Sequence, residues 1–190
     1  MSHGDSAFVR VPGLSELHPI SLTRRYLAKC PDQAPSPATA ALQFVPDATL
    51  RESIRLDISA ANRDLAQGEW NGATILAGAA LEALLLWALQ AHNRQHAGSV
   101  AAAVGALVTA NKMARPREPD PETWDLQHYI PVTAHLDLIT GDTATQAMLA
   151  KNFRNLIHPG RAIRLGQKCD RATALGTLAA VEAVARDLTA

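Results

Sequence analysis

Arg154 and His158 are the pair whose types and spacing best suit chemistry, and they lie in the stretch Lys-Asn-Phe-Arg-Asn-Leu-Ile-His-Pro-Gly-Arg, residues 151 to 161. Histidine exchanges protons near neutral pH, and arginine is a permanent, fork-shaped phosphate ligand. On a helix, residues four apart lie one turn above each other, so both would reach one ligand. His158 suits proton transfer, Arg154 suits an anionic ligand, and Asn155 orients either group or caps the helix. Lys151, Arg161 and Arg164 are candidate phosphate contacts, because from Lys151 to Arg171 six Lys or Arg stand against the single Asp170. A solvated charged face is the competing reading of the same residues.

The element that must position this set is a helix over residues 144 to 158, opened by a capping-box pattern at Thr143 and Gln146. At about 100° per residue, Leu149, Phe153, Leu156 and Ile157 fall on one side of it, with Lys151, Arg154, Asn155 and His158 roughly opposite, pointing away from the core. Pro159 disfavours the α conformation at the residue before it, and Gly160 can take a left-handed turn, so the helix is expected to stop there. Residues 161 to 168 then read as a basic crossover loop, and Asp170 or Thr173 starts a last helix through Leu175, Leu178, Val181 and Leu188.

This arrangement resembles the HEPN superfamily (higher eukaryotes and prokaryotes nucleotide-binding), compact α-helical domains whose ribonuclease members carry an Arg and a His at a slightly longer interval. Three residues intervene here, one short of that pattern, and the form Arg-Asn-x-x-His-Pro-Gly is similar to a less characterised branch of HEPN-like bacterial proteins. The string Gly78-Ala79-Ala80-Leu81-Glu82-Ala83-Leu84-Leu85 is similar to their first long helix. The resemblance implies an all-α bundle, a cleft built from the paired motifs of two domains, metal-independent ribonuclease activity, and a toxin or phage-defence setting. Cleaving RNA through its own 2′-hydroxyl would ask for a base at that hydroxyl, positive charge on the phosphate and an acid at the departing 5′-oxygen, with His158 suited to the proton work and Arg154 to the phosphate. In-line attack puts base and acid on opposite sides of phosphorus, so one His158 serves poorly for both and a dimer would supply two. An antitoxin or an adjacent nucleotidyltransferase would be its partner in such a setting. A non-catalytic HEPN-like nucleotide-binding, RNA-binding or assembly module is the alternative within the same resemblance.

Composition agrees with one helical domain. A chain of 190 residues that is 47% hydrophobic with few aromatics can bury one sizeable core. Eighteen basic and eighteen acidic residues cancel, which excludes a uniformly basic surface for nucleic acid. Cys30 and Cys169 are too few and too far apart for a disulfide framework or a zinc site, which fits a reducing cytoplasm. His92 and His96 stand four apart, but two ligands do not make a zinc site, and His128 and His135 join them only if the fold brings them close. No metal and no cofactor are expected. Residues 73 to 91 approach membrane-spanning length but carry Glu82 and are rich in Ala, so a buried helix is expected, with no membrane partner.

Residues 1 to 46 hold six of the eleven prolines and read as an arm, leaving residues 47 to 190 as the helical domain. Asp47 caps a first helix that closes at Gly68, and Trp70 to about His92 forms a second, apolar nearly all round. Glu82 is its odd residue, expected to pair with a buried Arg or to stand near the cleft. Gly72, Gly78 and Ala79 suit close packing against a neighbouring helix or a second subunit. Ser99 caps a helix to Met113, and Thr123 to Ile139 resumes helical periodicity with a kink or break at Pro131.

Overall fold

A computed structural model describes residues 41 to 189, and the expected arm lies largely outside them. The fold is all-α, and among the described residues there is no strand. The helices are α1 (Ala48–Gln67), α2 (Trp70–Gln95), α3 (Ser99–Thr109), α4 (Leu126–His135), α5 (Gly141–Arg154), α6 (Pro159–Leu165) and α7 (Arg171–Asp187). Short 3-10 turns stand at Pro121–Thr123 and Asn155–Ile157.

Local chemistry sets most of these ends. The Asp47 carboxylate accepts the N–H groups of Thr49 and Leu50 at 2.9 and 3.0 Å, and Gly68 closes α1 in the left-handed conformation at φ 83°. Asp170 and Thr173 form a reciprocal capping box that starts α7. The expected box at Thr143 and Gln146 is not formed. Thr140 is the cap, its hydroxyl accepting the Thr143 N–H, and α5 begins at Gly141. Ser99 does not cap α3 either, since Gly98 occupies that position and Ser99 is the first helical residue. That helix ends at Thr109, ahead of the left-handed Asn111 at φ 53°. Pro131 sits inside α4 without breaking it, and the helix is shorter than the periodicity implied.

α2 is the central element. It packs against α1 and α7 along most of its length and against α3, α4 and α5 elsewhere. Ala73, Ala77, Ala80, Leu81, Leu84, Leu85 and Leu89 are fully shielded from solvent. The helix is long and apolar enough to cross a membrane by length and composition, yet more than half of its most apolar stretch is buried within the bundle. What α1, α4, α5 and α7 leave partly open is the stripe Ile75, Ala79, Glu82 and Leu86, in which Ile75 is 39% exposed. Leu42 and Val45 are also completely buried, and Arg51 Nη1 donates to the Val45 carbonyl at 2.7 Å, so the core takes in residues just before the α1 cap.

α7 completes the core between α2 and α5. Its last residue, Asp187, reaches the start of α5, where it accepts from the Thr140 backbone and hydroxyl. By this route the C-terminal helix fixes the N-terminal end of the helix whose other end carries Arg154.

Candidate functional site

The segment expected to be one helix through His158 is divided. α5 ends at Arg154, Asn155–Ile157 is a 3-10 turn, and His158 is extended at φ −83°, ψ 112°. The physical reason is Pro159, whose ring excludes the α conformation from the residue before it. Pro159 is also the first residue of a new helix rather than the terminator of the old one, because its fixed φ and missing N–H suit that position. The His158 carbonyl accepts the N–H groups of Arg161 and Ala162, both at 3.0 Å. The expected crossover loop is therefore largely helix α6, and the left-handed glycine is Gly166 at φ 60°, not Gly160.

Arg154 and His158 consequently do not stack one turn apart on a continuous face. Phe153 and Leu156 are buried as the wheel implies, which pins the turn against the bundle. Arg154 differs from its expected outward position. Its guanidinium Nη1 donates to Glu82 Oε2 at 2.5 Å, and the two side chains are 34% and 28% exposed. The aliphatic part of Arg154 lies across Gly78, where a Cβ would stand 2.7 Å from Arg154 Cδ. Glu82 thus has the cationic partner that its place on an apolar helix demands.

The glycines of α2 serve contacts within the protomer. Gly72 makes room for the Asp64 carboxylate of α1 and Gly78 makes room for Arg154 of α5, which is close packing against neighbouring helices of the same protomer. This pairing of Gly78 with Glu82, four apart on one face, is what a reading of Arg154 and His158 alone misses. The signal was present as a small residue and an acid one turn apart on an otherwise apolar helix.

The remaining candidates spread away from Arg154. Lys151 and Asn155 are half-buried at the end of α5, whereas His158, Arg161 and Arg164 are exposed. Among the described residues no side-chain hydrogen bond or ion pair engages Lys151, His158, Arg161 or Arg164. α6 packs chiefly on the 3-10 turn before it, buries none of its residues, and leaves Ile163 79% and Leu165 52% exposed. The arrangement is a clamped arginine beside a ridge that carries an exposed imidazole and two exposed guanidinium groups.

Further titratable side chains lie outside residues 151 to 164. The rings of His92 and His96 lie 4.6 Å apart near the end of α2, and burial, then the charge of His96, pushes His92 down from its ordinary value. Among the described residues no three His, Cys, Asp or Glu side chains converge as a metal-holding group. Tyr129, 2% exposed, donates to the Pro121 carbonyl at 2.7 Å. Burial first, and then the negative charges of Glu82, Asp125, Asp120 and Glu122, push its hydroxyl up to about 12.

Comparison with protein-family models, with curated proteins and with solved structures returns no match to this chain. The chemistry of the site therefore rests on its own residues.

Proposed function

We propose that this chain is a HEPN-like endoribonuclease that cleaves RNA without a metal ion, acting as a homodimer in a toxin or phage-defence role. The observation that supports the reading is an Arg154 whose guanidinium is held in place by Glu82, followed after one short turn by an exposed His158 whose side chain has no polar partner among the described residues. A single contact at Nη1 leaves other guanidinium N–H groups for a phosphate oxygen. His158 serves as base at the 2′-hydroxyl, the second protomer's copy of the same histidine protonates the 5′-oxygen, and Arg154 stabilises charge at phosphorus. Lys151, Arg161 and Arg164 supply sequence-independent phosphate contacts, and Asn155 orients the turn between the two catalytic side chains. The partly open stripe Ile75, Ala79 and Leu86 beside Glu82 supports a second copy seated against this side of the bundle.

One observation favours a second reading. Because Arg154 already has a carboxylate partner within its own protomer, the same residues also suit a non-catalytic HEPN-like module that binds a nucleotide or RNA or supports assembly. Purified protein incubated with labelled RNA in chelator, wild type beside His158→Ala, separates the two. Cleavage that disappears with His158 supports the nuclease, and absence of cleavage in the wild type leaves the binding module.

A further inference from the structure

Arg154 is not presented as a free cation. It enters the site through a gap in α2 only as wide as Gly78 allows, and one turn later on the same helix Glu82 takes one of its guanidinium nitrogens. A methyl group at position 78 would meet Arg154 Cδ at 2.7 Å and Cγ and Nε at 3.4 Å, so the arginine, and not the helix, would have to move. Gly78 has no need of a left-handed backbone, so its lack of a side chain serves this close approach. Glu82 then decides where the far end of the side chain points. An unanchored arginine has many rotamers, and each hydrogen bond made by its planar fork removes most of them.

We infer that Gly78 and Glu82 form a seat on α2 that aims Arg154 at the substrate phosphate, which makes them positioning residues for the reaction. This inference rests on the ribonuclease reading. Glu82 is itself an anion beside the place where a phosphate would bind, so it opposes RNA binding while it orients the arginine. That conflict gives the seat a signature that general destabilisation does not share. Removing the carboxylate lets RNA bind equally well or more tightly and still slows the chemical step.

The experiment compares full-length wild type, Gly78→Ala, Glu82→Ala, Glu82→Gln and Arg154→Ala. Single-turnover cleavage of a labelled single-stranded RNA, thermal midpoints, and RNA affinity measured in a His158→Ala background are the readouts. In Gly78→Ala the helix preference of alanine is offset by displacement of Arg154 from Glu82, so the thermal midpoint is expected to change little while cleavage falls tenfold or more. Glu82→Ala is expected to lose cleavage to a similar degree with undiminished RNA affinity, whereas Arg154→Ala weakens both. Glu82→Gln keeps an acceptor oxygen in place and should recover part of the rate. Wild-type cleavage by Gly78→Ala and Glu82→Ala, in a protein that needs Arg154, overturns the seat and leaves the nuclease intact. Losses of rate that merely track lower thermal midpoints overturn it as well. A wild-type protein that does not cleave RNA removes the ribonuclease reading itself, whether or not it binds RNA, and the seat falls with it.

Discussion

Asp187, the last residue of α7, accepts the backbone N–H of Thr140 at 2.8 Å and its hydroxyl at 3.0 Å, joining the C-terminal helix to the cap of α5. Burial alone would raise this carboxyl. Hydrogen bonds from the Thr140 backbone and from the side chains of Thr143, Arg186 and Thr140 outweigh it and hold the group at about 2. A depressed carboxyl stabilises the fold above its unfolded value of 3.8, and that contribution is lost as pH falls towards 2. The shift corresponds to about 2 kcal/mol as an upper bound. Asp187→Asn is expected to lower stability at neutral pH and to flatten the acid limb between those values, read from urea unfolding at a series of pH values. An unchanged acid limb would show that Asp187 is not a linked group.

Tyr129 imposes the opposite pH dependence. A group raised in the folded state stabilises below its unfolded value of 10.0, and the contribution disappears as pH rises towards about 12. Tyr129→Phe should cost about 1 kcal/mol near neutrality through the lost hydrogen bond to Pro121. It should also remove the alkaline loss of stability, followed by circular dichroism between pH 9 and 12. Tyrosinate absorbance in the native wild type should show this residue ionising well after an exposed tyrosine.

Any RNA cleavage is expected to persist in chelator and to leave a 2′,3′-cyclic phosphate. His158→Ala should reduce it by about 10²–10⁴-fold, the range typical of a proton-transfer group. Because His158 is exposed, its removal should leave the thermal midpoint nearly unchanged. Arg154→Lys keeps the charge but loses the fork, so it should cleave better than Arg154→Ala and worse than wild type. Full activity in folded His158→Ala would assign the cleavage to a contaminant.

Native mass at micromolar concentration should be that of a dimer. Ile75→Glu, placed on the partly open stripe of α2, should shift the population to monomer and lower cleavage in parallel. A wild-type monomer that cleaves RNA at full rate would exclude the paired-histidine arrangement.

The helices and several of their ends were legible because their signals are local. Asp47, Gly68 and Asp170 act on backbone groups within a turn, and the buried face of α1, Ile54, Ile58, Ala61 and Leu65, repeats at helical spacing. The division of α5 from α6 was not, because a proline can end one helix or begin another, and the choice depends on how Phe153 and Leu156 are anchored in the core. The clamp on Arg154 was only half legible. Glu82 advertises its need for a cation, but the partner lies 72 residues further along the chain, beyond the reach of any periodicity.

The placement of α7 also bears on the order of events during synthesis. Arg154, at the end of α5, lies across Gly78 and is held by Glu82 of α2, and α5 is itself packed against α7 and tied to it at Thr140. Domains fold as units as the chain emerges from the ribosome. A nascent chain that has exposed residues 151 to 161 but not 171 to 187 therefore carries the chemical groups of the site without the brace that arranges them. On the proposed reading, the ribosome translating this protein is working beside an unassembled nuclease, and activity cannot begin before Asp187 has reached Thr140 and two finished protomers have met.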